Sequence, residues 1–292
     1  MKTKKSVGLV ILLLIYLFAA AIGIGVFYVC DKYTNMNFIL NILLADVAAT
    51  IFVWLTGLIF KTMSTYDPYW SVQTIIIYVL LLVKYNNWNL GTILLLIPLG
   101  IYTIRLTGNF IYTFSNLGYV DWRYKMLKEK SGKLYFLLAL MGICMFPTMV
   151  VFAASLPAFY FARFGEYNPL ILIGVVLMLG AVALEFISDY QMHSFRKNRT
   201  SKDEVINVGL WKYSRHPNYL GEISFWFALY LVYFVINMSM WYLFAGAFIN
   251  LVMFLIISIP MEERHMLEYK PNLKEYIETT SMLLILPKKK QK

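Results

Sequence analysis

Apolar residues run along this chain in long blocks separated by short polar breaks. Eight blocks stand out, at 8–29, 37–60, 70–84, 89–104, 134–161, 169–190, 219–236 and 239–260. They predict about eight transmembrane helices. The blocks at 70–84 and 89–104 are short for a crossing of ~20 residues, so each is tilted, partly re-entrant or extended by its polar flanks. The first block follows Lys2, Lys4 and Lys5, as a signal peptide would. Its length and the lack of a small-residue cleavage site predict a retained helix.

Composition points the same way. Of the 292 residues 60% are apolar and only 14% charged, whereas about a quarter are charged in soluble domains. No soluble core hides that much apolar surface, so the fold class is an all-α integral membrane protein. Basic residues then set the orientation. With the N-terminus in the cytoplasm and eight crossings, both termini are cytoplasmic. All but Lys32, Lys84 and Arg163 of the 26 Lys and Arg then face the cytoplasm, as the positive-inside rule requires. The net charge of +10 thus serves orientation and attraction to anionic membrane lipids. It implies no nucleic-acid partner, because no basic soluble domain exists to bind one. Cys30 and Cys144 sit at or in apolar segments and suggest no disulfide scaffold. The tail Leu286–Lys292 reads as a basic cytoplasmic end, and it also fits a dilysine retrieval signal were the organism eukaryotic.

Two large cytoplasmic loops are expected, 105–133 and 191–218, while the outer loops are short and mostly neutral. A polar ligand is therefore expected on the cytoplasmic face. The second loop ends in Gly209-Leu-Trp-Lys-Tyr-Ser-Arg-His-Pro-Asn-Tyr-Leu-Gly-Glu222. Pro217 suits the first turn of a helix, where free backbone amides favour an anion. Lys212 and Arg215 beside that end suit a phosphate or carboxylate. Glu222, one turn in, is placed to accept hydrogen bonds from an amide or ribose hydroxyl. Upstream, Glu185, Asp189 and His193 are spaced four apart and share one helical face. Such acids repel unless something bridges them or one is protonated. Three histidines in the whole chain are too few for a multi-histidine di-iron site.

A second set lies at the two short blocks. Asp67, in Tyr66-Asp-Pro-Tyr-Trp70, opens one of them, and Tyr102 and Arg105 close the other. The turn at 84–89 makes the two helices an antiparallel hairpin, which brings Asp67 and Tyr102 to the same end. An acid close to a tyrosine hydroxyl is a proton-donating arrangement for a carbonyl oxygen. Taken singly, Asp67 also reads as a helix cap before Pro68 and Tyr102 as an interfacial aromatic. Asp46 lies in the middle of a block. A lone carboxylate there costs a few kcal/mol, so it is protonated, hydrogen-bonded or water-facing. Asn116-Leu-Gly118 is a turn signal.

These residues resemble the steroid 5α-reductase superfamily, most nearly its bacterial branch of multi-pass proteins (DUF1295), over roughly residues 60–287. The resemblance rests on Gly209–Glu222 followed by Trp226, on Ser188-Asp-Tyr190, on Asn116-Leu-Gly118 and on the Asp67, Tyr102 and Arg105 set. It implies that residues 1–36 are an extra N-terminal helix and loop ahead of a family domain at 37–292. It further implies an NADPH-dependent reduction of a carbon–carbon double bond conjugated to a carbonyl in an apolar enone lipid or steroid. Asp67 and Tyr102 would be catalytic. Arg105, Asn116, Asp189, Arg196, Tyr213, Arg215, His216, Asn218 and Glu222 would bind the cofactor. Trp226, Trp70 and Asp46 would line the substrate. Three positions depart from the family pattern. Glu185 stands for an asparagine, His193 for a basic residue, and Glu204 where an arginine is expected. The same signature also resembles S-adenosylmethionine-dependent membrane methyltransferases of the isoprenylcysteine carboxyl type, which need the 209–222 region but not the Asp67 set. A third reading is a lipid- or sterol-binding protein without chemistry. A bacterial cell membrane is the expected location, or the endoplasmic reticulum in a eukaryote. No motif fixes the oligomeric state.

Overall fold

The computed structural model describes residues 4–289. Lys2 of the leading basic cluster, and Lys290 and Lys292 of the tail, lie outside the described residues. Regular structure among those described is helical, and seven stretches are long and apolar enough to cross a membrane. They are Lys5–Tyr33, Phe38–Phe60, Met63–Tyr85, Leu90–Thr113, Trp122–Phe164, Ile171–Asn198 and Met238–Leu267. This is a multi-pass membrane protein. The eighth expected span is present as a helix, Pro217–Phe234. Asn218, Glu222 and three tyrosines make it too polar to count with the other seven. The chain divides into two compact units, residues 1–166 and 167–292.

The first unit contains α1 (Lys5–Tyr33), α2 (Phe38–Phe60), α3 (Tyr69–Tyr85), α4 (Leu90–Thr113), α5 (Trp122–Ser131), α6 (Tyr135–Leu138) and α7 (Phe146–Phe164). Local chemistry sets several starts. The Asn37 side chain accepts from the Ile39 amide at 2.9 Å, and that of Asn89 accepts from Gly91 and Thr92 at 2.7 and 3.2 Å. Each side chain satisfies amides that a helix start leaves free. A π-helical turn, Ala139–Met145, joins α6 to α7. The helix α1 packs along α2. Its outer face leaves Val10, Leu13, Leu17 and Phe18 exposed, as a lipid-facing surface would.

Both short blocks prove to be extended by polar flanks. A 3₁₀ turn, Met63–Thr65, leads into α3. The helix α4 continues nine residues past the expected end at 104, through Arg105, Thr107 and Asn109. Those polar residues read as a loop in sequence, but Thr103 and Thr107 bond to Ser71 across the helix hairpin. Thr103 Oγ1 donates to the Ser71 carbonyl at 3.0 Å, and the Ser71 and Thr107 hydroxyls pair at 3.0 Å. Half of the remaining expected loop, 114–133, is the helix α5, capped by Asp121. Buried hydroxyl pairs such as Thr74 with Ser155, 2.7 Å apart, tie α3 to α7. In an apolar setting such groups need each other.

The second unit contains α8 (Ile171–Asn198), α9 (Pro217–Phe234), α10 (Phe244–Met253), α11 (Ile259–Leu267) and α12 (Leu273–Thr279), with a π-helical turn Phe254–Ser258 between α10 and α11. Helices α8 and α9 make its largest contact. Gly221 makes their close approach possible. A Cβ there would come within 2.4 Å of Glu185 Cγ and 2.8 Å of the Ala181 carbonyl.

Two candidate functional clusters, one in each unit

In the first unit, Asp67 sits in the turn between the 3₁₀ segment and α3. The cap position of α3 is Pro68, and no side chain caps that helix. Asp67 is thus available for other contacts. The hydroxyl that donates to it belongs to Tyr124, from α5. The sequence pairs Asp67 with Tyr102, whereas the structure adds a tyrosine 57 residues away. Tyr102 itself is fully buried on α4, next to the Thr103 contact with α3. Arg105 follows three residues later on α4. Asp121 accepts from the amide and side chain of Arg123, at 2.9 and 2.8 Å. Asn116 makes a turn, its side chain accepting from the Gly118 amide at 2.8 Å. Trp70 is half-buried against the core that holds Tyr66 and Tyr69. Asp46 is buried on α2 and accepts from the Tyr69 hydroxyl at 2.9 Å.

In the second unit the signature segment enters through Gly209, whose φ of 58° is left-handed. A side chain there would also strike Gln191, whose oxygen accepts from the Leu210 amide at 2.9 Å. Beyond it the chain is laced to its own end. The Arg215 amide donates to the Ser281 carbonyl at 2.9 Å, Ser214 Oγ to that of Leu283 at 2.7 Å, and the Leu286 amide to Tyr213 O at 3.2 Å. The Tyr276 hydroxyl donates to the Trp211 carbonyl, and burial pushes its pKa well up.

Arg215 is the largest departure from expectation. Its Nε donates to Glu263 Oε1 at 2.8 Å. One terminal nitrogen donates to the Ile277 and Thr280 carbonyls at 2.6 and 3.0 Å, and the other to Glu263 Oε2 at 3.4 Å. His216 Nε2 lies 3.0 Å from the same Glu263 oxygen, and its ring stacks on Tyr219, whose hydroxyl donates to Glu262 at 2.8 Å. The anion that Arg215 and His216 hold beside the start of α9 is therefore a side chain of this protein. These two residues serve as a staple, and a ligand phosphate would have to displace Glu263. The sequence offers one signal for it, the acidic pair Glu262-Glu263 at the end of the last apolar block.

Asn218 keeps free capacity. Asn218 Oδ1, in the first turn of α9, is shielded from solvent and has no hydrogen-bond partner within the protein. Glu222 and Trp226 are both buried, and the indole nitrogen donates to the carboxylate at 2.7 Å. Glu185, Asp189 and His193 grade from fully buried to half-buried along α8. Tyr213 is exposed. At the end of α8 stand exposed Arg196 and half-buried Arg199. Lys270, buried after α11, donates to the Glu204 carbonyl at 2.9 Å. Burial first, then Arg199 and Arg196, push the Lys270 pKa below its ordinary value, with Asp203 and Glu262 opposing. Three cations thus share one neighbourhood. Glu204, at the position where the family pattern expects an arginine, caps its own loop. It accepts from Thr200 and Ser201 amides at 2.8 and 2.9 Å, which pull its pKa down together with the Thr200 hydroxyl.

These residues fit the polar half of a dinucleotide. Asn218 offers an unsatisfied acceptor, the first turn of α9 has amides without helical partners, and the cation trio suits phosphate. Among known proteins, no curated sequence and no solved structure matches the chain. One family pattern does match, that of the proteins of unknown function DUF1295, over residues 53–280. That stretch takes in every helix from α3 to α12, with Asp67 and Tyr124 of the first cluster and Arg215, Asn218 and Glu263 of the second, and the chain belongs to the DUF1295 family.

Proposed function

We propose that this protein is a membrane-embedded, NADPH-dependent reductase of the carbon–carbon double bond in an α,β-unsaturated lipid carbonyl, such as a 3-oxo-4-ene steroid, in a bacterial cell membrane. The observation that carries the reading is the Asp67–Tyr124 pair in the first unit. A methyl transfer to a carboxylate has no use for an acid held by a phenol, whereas enone reduction needs a proton-donating group at a carbonyl oxygen. In this reading neutral Asp67 and Tyr102 hydrogen-bond that oxygen and stabilise the enolate as it forms. Tyr124 is a positioning residue that fixes the Asp67 carboxyl. In the second unit Asn218, Asp189 and Glu222 take the cofactor's hydroxyl and amide donors, and Arg196, Arg199 and Lys270 take its phosphates. NADPH, when bound, supplies the hydride that reaches the β-carbon.

The test begins with binding. NADPH is expected to raise the thermal unfolding midpoint of the purified protein, and S-adenosylmethionine is not. Stabilisation by S-adenosylmethionine alone would overturn the proposal in favour of a methyltransferase. Asp67→Asn and Tyr102→Phe are each expected to lower NADPH oxidation with an enone lipid by roughly 100- to 1,000-fold, as loss of an oxyanion donor does elsewhere. Cofactor affinity should stay unchanged in both. NADPH binding without oxidation of any enone lipid would leave a binding protein.

A further inference from the structure

The end of the chain carries an apolar surface that the proposed chemistry does not use. Met282, Leu284, Ile285 and Leu286 follow α12, and all four are exposed, Leu284 by 56%. They do not belong to a loose tail. The Ser281 and Leu283 carbonyls accept from the Arg215 amide at 2.9 Å and from Ser214 Oγ at 2.7 Å. The Leu286 amide donates to the Tyr213 carbonyl at 3.2 Å, and the Lys289 amide to that of Thr279 at 2.9 Å. The last bond folds the chain back onto the end of α12, so 281–289 is a closed loop with a fixed backbone. Its apolar side chains are nevertheless left outside the packed interior. Grouped apolar side chains on a fixed backbone mark an interaction surface.

The anchors of this loop fix its level. Tyr213 to Arg215 lie just ahead of Pro217, where α9 begins. Arg215 is in turn held by Glu263, close to the end of the last apolar span at Leu267. The loop therefore sits where two apolar helices meet the bilayer surface. Its charge suits that place. Between residues 273 and 292 five lysines stand against two glutamates, Glu275 and Glu278. Four of the lysines, Lys288, Lys289, Lys290 and Lys292, directly follow the apolar run. Apolar side chains with a basic rim are the composition of a segment that lies in the membrane interface and attracts anionic headgroups. A protein partner would have to compete with a bilayer already at that level.

We infer that the loop 281–289 dips into the membrane interface and binds anionic lipid, with Leu284, Ile285 and Leu286 below the headgroups and the lysines that follow them at the lipid phosphates. This site stands independently of the reductase reading, since no cofactor or enone enters it.

The test uses the full-length protein with Leu284→Cys as the labelling site and Cys30→Ala and Cys144→Ala as background. An environment-sensitive fluorophore is attached at 284. The protein is placed in nanodiscs of phosphatidylcholine alone or of an equal mixture with phosphatidylglycerol, each with a trace of nitroxide-bearing lipid. Quenching by the lipid nitroxide is expected to be about threefold greater in the mixture, because each lysine gains at an anionic surface. Lys289→Gln, Lys290→Gln and Lys292→Gln together should reduce it to the level of phosphatidylcholine alone. Ile285→Ser with Leu286→Ser should remove it in both bilayers, and a melting curve verifies that each variant is folded. Equal quenching of the native loop in the two bilayers would leave an apolar contact without headgroup binding, and would overturn the inference. A label that iodide in the water quenches and the lipid nitroxide does not would place the loop in solvent, and would overturn it too. A label shielded from both quenchers would show the surface covered by protein, whether a second copy or another chain, and would also overturn it.

Discussion

Two groups of charges in the second unit lie close in sequence and behave differently. Arg215 and His216 share Glu263, and the arginine also holds two carbonyls of the chain end. Burial, then Arg199 and Arg196, lower the pKa of Lys270, with Asp203 and Glu262 opposing. The first group has its ionic partner within the protein, whereas in the second three cations face Asp203 and Glu262. The motif most conspicuous in sequence is thus the one engaged in architecture, and the less conspicuous basic cluster has capacity for a ligand. A charge is available to a ligand only if the fold has not already satisfied it.

The contrast predicts substitutions of opposite sign. Glu263→Gln leaves Arg215 nearly buried without its anion, since the two side chains are only 8% and 13% exposed. Stability is expected to fall by about 3–5 kcal/mol, read as a lower thermal midpoint in detergent with or without NADPH. A loss of cofactor affinity at unchanged stability would show Glu263 in the ligand site and break the comparison. Lys270→Met should weaken NADPH binding by about tenfold, the value of one charge-assisted hydrogen bond, while the unliganded protein becomes no less stable. A fluorescence titration beside a melting curve separates the two effects.

The depressed pKa of Lys270 adds a pH dependence. The folded protein holds fewer protons than the unfolded chain between that lowered value and the ordinary lysine pKa of about 10.5. Stability without ligand should therefore rise with pH across that window. NADPH affinity should fall across it, because the phosphate prefers the charged ammonium. Neither slope should survive in Lys270→Met, and a slope that persists would assign the titration to another group. The smallest expected effect is that of Glu204→Gln, which weakens a loop cap on an exposed segment. Cofactor affinity is expected to change by less than about threefold, within the range of ordinary surface changes. A larger change would bring Glu204 into the binding set.

Much of the fold was legible because membrane helices are written in long apolar blocks, and Asn37, Asn89 and Asp121 cap helices in the usual way. The extension of α4 was not legible. Arg105, Thr107 and Asn109 have the composition of a loop, and the bond of Thr107 to Ser71 on α3 is not recorded in any local spacing. The site divides in the same manner. Asn218, Glu222 and Trp226 could be named from one contiguous motif. Tyr124, Glu263 and Lys270 could not, because their partners lie 57, 48 and 66 residues away. No local spacing records such pairings.

The lacing of Tyr213–Arg215 onto residues 277–286 has a consequence for biosynthesis. Arg215 finds its carbonyl acceptors, and Ser214 its own, only among residues made some sixty positions later. While the ribosome is still adding α11, the guanidinium has no finished seat and α9 lacks its anchored entrance. Maturation of this half of the protein is therefore a late event. A chain ending near residue 270 would keep the Glu263 partner of Arg215 but lack the Ile277 and Thr280 carbonyls, leaving one terminal nitrogen of the guanidinium without its seat.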